Sequence, residues 1–142
     1  MPFIVKGPGI EAGAFSDTPV IGWDLLPTIG ALAGYDKPMP KDVDGGSFKN
    51  ILDSSGNGKV NRPNDYFVFH RYSKGDPYSA LREGKYKLVK FWKSKKIFLF
   101  DLEKDIEERI DLSKKMPQKT KELEEKLTNY LRLVDSKILK QI

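Results

Sequence analysis

The hydrophobic positions of this chain fall into patterns of two periods. From Tyr66 to Leu102 they come as short runs: Tyr66 to His70, a pair of runs meeting at Glu83-Gly84, and Lys96 to Leu102 after the polar Lys93-Ser94-Lys95. Short runs rich in β-branched and aromatic residues, bounded by Gly, Pro, Asp and Ser, predict strands. Gly84 can supply the positive φ of a tight turn, so the runs predict an antiparallel meander. Behind Met116-Pro117 the period changes. Leu123, Leu127, Tyr130, Leu131, Val134 and Ile138 recur at helical spacing, which predicts one long amphipathic helix, with Pro117 near its first position, lying across one face of the sheet.

The N-terminal patterns are shorter. Phe3 to Lys6 reads as an apolar strand ended by Gly7-Pro8-Gly9, since Pro8 removes a donor and the glycines favour a turn. Leu25, Ile29 and Leu32 form a helical stripe, with Asp24 placed to cap, Pro27 in the first turn and Gly34 as the stop; this predicts a helix over 25–33 whose stripe packs in the core. From Gly34 to Pro63 the chain is rich in Gly, Pro, Asp and Lys and reads as a linker with one short helical turn near Ser47 to Leu52. The expected fold class is α+β: a small antiparallel sheet of 3–4 strands against a long C-terminal helix, preceded by a strand and a short helix, in segments 1–34, 35–63 and 64–142. An apolar strand at 3–6 without neighbours would pair with a second copy of itself, a strand-mediated homodimer.

Composition sharpens this picture at a few points. A chain of 142 residues with 39% hydrophobic content can bury one core. No run of about 18 apolar residues exists, so no helical membrane span is expected, and Met1 to Gly13 is too broken by Pro and Gly to read as a signal peptide. The absence of Cys removes disulfides and thiolate metal sites and leaves the compartment open. The formal net charge of +5 is concentrated at Lys85, Lys87, Lys90, Lys93, Lys95 and Lys96. Such a stretch is either a solvated edge with gatekeeper lysines or a surface for an anionic polymer; basic residues among Tyr86, Phe91 and Trp92 also admit nucleic acid, although no nucleic-acid motif supports it.

Candidate chemistry is sparse. Asp53 to Val60 imitates the first part of an EF-hand loop, but its twelfth position is Asn64, so the bidentate carboxylate is missing and an Asn/Gly turn is expected. Asp101, Asp105, Glu107, Glu108 and Asp111 form an acidic cluster read as turn and solvation residues. The single His cannot make a multi-His metal site, and no nucleophile–base pair is evident.

Four blocks of residues nonetheless resemble one family, the block from Ser79 to Ser113 carrying two of the patterns. Ser79, Ala80, Leu81, Arg82, Gly84, Tyr86, Lys87 and Leu88 fit S-A-[IVL]-R-x-G-x-[YW]-K-L, and Leu99, Phe100, Asp101, Leu102, Asp105, Glu108, Asp111 and Leu112 fit L-[YF]-D-L-x-x-D-x-x-E-x-x-[ND]-L. Pro2 to Gly9, Trp23 to Thr28 with Ala33-Gly34, and Asp44 to Phe48 supply earlier blocks in the same order. This series resembles the last third of a sulfatase of the alkaline-phosphatase superfamily. The resemblance implies that the strand and helix of 1–34 are the end of a larger α/β catalytic domain, and that 64–142 is the C-terminal subdomain. It implies that the parent hydrolyses sulfuric esters of a carbohydrate or aryl substrate with formylglycine and calcium. Here there is no Cys, and no Ser is followed by x-Pro-x-Arg, so the chain alone is expected to be inactive and its main partner to be the missing catalytic domain. A start on a strand that lies inside a larger sheet implies a truncated gene, a wrongly assigned start or an excised domain.

The resemblance also places a loop of the C-terminal sheet at the substrate pocket. It implies His70, Arg71 and Lys74 as pocket-facing residues, with Arg71 pairing a sulfate or uronate and His70 donating to a sugar hydroxyl. The family segment similar to W-H-F-P-H-Y reads Phe67-Val68-Phe69-His70-Arg71-Tyr72 here, so the His is displaced. The competing reading is a non-catalytic basic module that binds anionic polysaccharide or, with less support, nucleic acid. Relatives that transfer phosphoryl groups are a third.

Overall fold

The computed structural model describes residues 2–72 and 74–140, the side chain of Lys140 excepted. It divides into two compact units, Met1–Asn64 and Asp65–Ile142. In the second, β1 (Tyr66–Arg71), β2 (Tyr78–Glu83), β3 (Tyr86–Phe91) and β4 (Ile97–Asp101) form one antiparallel sheet in sequence order. The expected hairpin is present. Glu83 pairs with Tyr86 across a two-residue loop in which Gly84 has φ 54°, the first central position at which type II′ turns take Gly.

Strand alternation sorts the side chains onto two faces. Val68, Leu81, Leu88 and Leu99 are successive cross-strand partners, so they form one row, and they meet Leu123, Leu127 and Leu131 of α3 (Pro117–Leu133) in the core. Leu81, Leu88, Leu99, Leu123 and Leu127 are fully buried, each worth about 1.5–3 kcal/mol relative to exposure. Glu83, at the end of β2, accepts from Lys119 at 3.3 Å and from Lys126, which ties that end of the sheet to α3. Pro117 stands in the first turn as expected. The predicted stripe does not run through a single helix, however. Asp135 takes a φ of 49°, α3 ends at Leu133, and Ile138 reaches the core from a separate 3₁₀ turn, Lys137–Lys140, while Val134 stays 50% exposed.

The first unit departs further from expectation. Residues 3–6 form no strand; a strand exists only through a ladder, and this segment finds no partner backbone within the unit. Phe3 instead meets the Phe48 ring edge-on at 5.9 Å, so the strand on which pairing between copies was expected is not formed. Helix α1 (Leu25–Leu32) follows a 3₁₀ turn, Gly22–Asp24. Its stripe is outside: Leu25, Ile29 and Leu32 are 38%, 61% and 52% exposed, with Leu26 beside them at 62%, whereas Asp24 and Thr28 are buried. The side of Pro27 and Thr28 goes inward because the supposed linker folds back on it. Thr28 Oγ1 accepts the Phe48 N–H at 3.0 Å, at the start of α2 (Lys49–Asp53). Asp24 stands at the N-cap position of α1 but makes no capping bond: its own backbone is helical, and its carboxylate accepts from Ile21 and Gly46 instead. The imitation calcium loop is the C-terminal turn of α2, where Gly56 N–H closes on Ile51 O at 2.9 Å and Asp53 pairs with Lys49.

Among the described residues no helix is long and apolar enough to cross a membrane.

Candidate functional site

The three residues expected at a pocket lie at or just beyond the C-terminal end of β1, and the strand separates them. His70 is the cross-strand partner of Ser79 and Arg71 that of Tyr78. Neighbours on a strand point to opposite faces, so His70 shares the α3 side with Val68 whereas Arg71 belongs to the far side.

His70 is held by a short hydrogen-bonded chain. Its Nδ1 lies 2.7 Å from Ser79 Oγ, and the same oxygen accepts the Trp92 Nε1–H at 2.8 Å. Indole N–H only donates, whereas a serine hydroxyl can both accept and donate, so Ser79 Oγ links the Trp92 indole to the His70 ring. The other ring nitrogen, Nε2, is buried and has no hydrogen-bond partner among the described residues. It borders a hollow lined by Val68, Tyr72, Tyr130, Leu131 and Val134, and the Tyr72 ring stands edge-on at 4.1 Å. Burial pushes the His70 pKa below 6.5, so near neutral pH the ring is an uncharged fastener between β1 and β2.

Arg71 and Lys74 are exposed at the end of the sheet where two loops meet. Asp76 joins these loops: its Oδ1 accepts Lys93 N–H at 2.9 Å and its Oδ2 accepts Ser94 N–H at 3.2 Å. Hydrogen bonds from the Ser94 hydroxyl and from these amides hold the Asp76 carboxyl below its usual range. Trp92 N–H reaches Pro77 O at 3.0 Å and Lys93 Nζ reaches Lys74 O at 3.2 Å. Ser73 lies outside the described residues. On the same face as Arg71 runs an aromatic series, with Tyr78–Phe91, Phe91–Phe98 and Phe98–Phe100 centroids 5.4, 6.0 and 6.2 Å apart.

The basic stretch of the meander divides in two. Lys85 faces Asp101 at 3.5 Å, Lys87 faces Glu108 at 2.6 Å, and Lys90 faces Glu124 at 2.7 Å, so these lysines are matched within the unit. The acidic cluster is likewise engaged in turns: Asp111 Oδ1 accepts the Leu99 and Ser113 N–H groups at 3.1 and 2.8 Å, and Asp105 accepts that of Ile110 at 2.7 Å. No three His, Cys, Asp or Glu side chains converge to hold a metal ion among the described residues. With no Cys and no Ser-x-Pro-x-Arg in the sequence, no residue of this chain fits a formylglycine.

Sequence reasoning missed the buried centre of the first unit. Asp24, fully buried, accepts from Ile21 N at 2.8 Å, Gly46 N at 3.0 Å and Arg62 Nε and Nη2 at 2.8 and 2.7 Å. Close approach explains Gly45, where a Cβ would stand 2.0 Å from Trp23 O. Arg62 carried no signal, because a lone Arg in a polar stretch reads as solvated.

Comparison with known proteins gives one consistent result. Residues 1–137 match the family described as N-sulphoglucosamine sulphohydrolase, C-terminal. Among solved structures, a putative sulfatase from Bacteroides thetaiotaomicron is 26% identical with a TM-score of 0.73, over 94% of this chain and 30% of that one. A 2-O glycosaminoglycan sulfatase is 26% identical with a TM-score of 0.68, over 82% of this chain and 26% of that one. A protein solved with its substrate D-glucosamine-2-N,6-O-disulfate is 23% identical with a TM-score of 0.68, over 87% and 26%, and shares the fold. The chain thus spans only about a quarter to a third of the length of these proteins.

Proposed function

Because the chain belongs to the N-sulphoglucosamine sulphohydrolase C-terminal family, we propose that it is the C-terminal portion of a sulfuric ester hydrolase acting on a sulfated glycan. The observation that carries this reading is the family match over residues 1–137. The sulfatase likeness at 26% identity, one of the two being a glycosaminoglycan sulfatase, supports the substrate class. The nucleophile and calcium ligands are supplied by sequence this chain does not contain, and the chain by itself turns over no sulfate ester. Its own residues contribute shape and charge. The outward apolar side of α1, with Leu26, Ile29 and Leu32, is a surface for the catalytic portion to cover, since contiguous exposed apolar residues mark contact sites.

Arg71 and Lys74 are the proposed substrate contacts. A guanidinium matches a sulfate or carboxylate with two parallel N–H donors, and an ammonium adds a point charge. His70 is withdrawn from that role, since it lies on the other face with both ring nitrogens buried or engaged. The test is sulfate release from a chromogenic aryl sulfate and from a sulfated glucosamine, with calcium, by the chain alone and by a protein in which it is joined to a catalytic portion bearing C/S-x-P-x-R. Release by the joined protein alone is expected; release by the isolated chain would refute the division of labour.

A further inference from the structure

Arg71, Lys74, Lys93, Lys95 and Lys96 are exposed, and the strand register brings them to one end of the sheet. Arg71 pairs with Tyr78 and Tyr78 with Phe91, while Phe91 N–H bonds Lys96 O at 2.9 Å across the β3–β4 loop. Lys95 sits in that loop with φ 58°. Against these five cations the two connections carry one carboxylate, Asp76, and its oxygens are already engaged by the Lys93 and Ser94 amides. Most of the chain's formal net charge of +5 is therefore displayed at this end, whereas Lys85, Lys87 and Lys90 are matched by acids elsewhere.

We propose that these five cations form a binding site for the polyanionic chain of a sulfated glycan. The Asp76 bridges to the Lys93 and Ser94 amides and the Trp92–Pro77 hydrogen bond tie the two connections together, which lowers the ordering cost of binding. Several cations from different connections suit repeated anions along a polymer better than one small anion. Nucleic acid is the poorer fit because its single strands are bound by stacking platforms as well as charge. Trp92 is buried with its N–H on Ser79, which leaves Tyr72, 57% exposed with its ring edge-on to His70, as the one aromatic of the two connections open to a base. The choice of a glycan over other polyanions rests on the sulfatase reading; the cation cluster does not.

The test is titration of the full 142-residue chain with a labelled heparin octasaccharide at about 50 and about 200 mM salt, beside a single-stranded DNA of equal charge. Lys95→Glu with Lys96→Glu is compared with Lys115→Glu with Lys121→Glu, exposed positions away from the two loops with the same change of charge. The expected result is heparin binding that weakens steeply with salt, falls about tenfold or more in the first variant, and changes about twofold or less in the second. Absence of binding by the native chain, or equal losses in both variants, would overturn the site. DNA bound as tightly as heparin, with the same loss in the first variant, would overturn the glycan as occupant while leaving the sulfatase reading to its own assay. Circular dichroism melting of both variants guards against misfolding.

Discussion

Arg62 grips Asp24 side-on, Nε to Oδ1 at 2.8 Å and Nη2 to Oδ2 at 2.7 Å, across 38 residues of chain. Both remaining lone-pair directions of the carboxylate are taken by the Ile21 and Gly46 amides, so this buried pair is satisfied on every side. That geometry is what makes a buried ion pair tolerable, because desolvation is offset only when hydrogen bonds accompany the charge attraction. It also explains how a stretch rich in Gly and Pro becomes part of a folded unit.

Removing one partner should therefore be severe. Arg62→Leu leaves an uncompensated carboxylate in the first unit and is expected to destabilise it by about 3–5 kcal/mol. Amide exchange at Gly46, which donates to Asp24, reports the loss locally; unchanged protection there would contradict the role given to Arg62.

Acid should act on the same contact. Burial alone would raise the Asp24 pKa, but the Arg62 guanidinium and the Gly46 and Ile21 amides outweigh it and hold it below 3.8. A carboxyl whose folded pKa is depressed stabilises fully above its unfolded value and loses that contribution as pH falls through the folded one. The first unit is thus expected to keep the Asp24 contribution above pH 3.8 and to shed it below. Tryptophan emission of a Trp92→Phe variant, which retains only Trp23, follows this in an acid titration, and a transition centred well above that pH would argue for another group.

His70 offers a clean second titration, since it is the chain's only histidine. Its pKa is depressed by burial, so its contribution to stability is present above pH 6.5 and lost as pH falls through the folded value. A single imidazole resonance should titrate below 6.5, and Ser79→Ala, which strands the Trp92 N–H, should lower urea stability by about 1–3 kcal/mol. A midpoint at or above 6.5 would show a solvated ring.

Arg71 is predicted to matter for turnover rather than folding. In a protein that includes the catalytic portion, Arg71→Ala should lower kcat/KM on a sulfated glycan by roughly tenfold to a hundredfold, the worth of one or two charged hydrogen bonds, with little change in melting temperature. Unchanged kinetic constants would remove Arg71 from the substrate contacts.

The second unit was legible in the sequence because its elements are local and periodic. The Gly84 turn, the alternating Leu81 and Leu88, and the Leu123, Leu127, Leu131 spacing each state their own partner face. The first unit was not. Periodicity marked Leu25, Ile29 and Leu32 as an apolar face but carries no information on what covers it, and the buried side of α1 proved to be that of Pro27 and Thr28. Residues 3–6 have strand composition without a strand partner. Adjacency in sequence brought His70 and Arg71 together on paper, while the two-residue period of β1 sent them to opposite faces.

The most direct measurement is the nucleotide sequence immediately upstream of the Met1 codon. The account predicts an open frame continuous with this chain that encodes C/S-x-P-x-R and the acidic calcium ligands of a sulfatase. An in-frame stop codon just before Met1, with no such sequence joined to the chain, would contradict it.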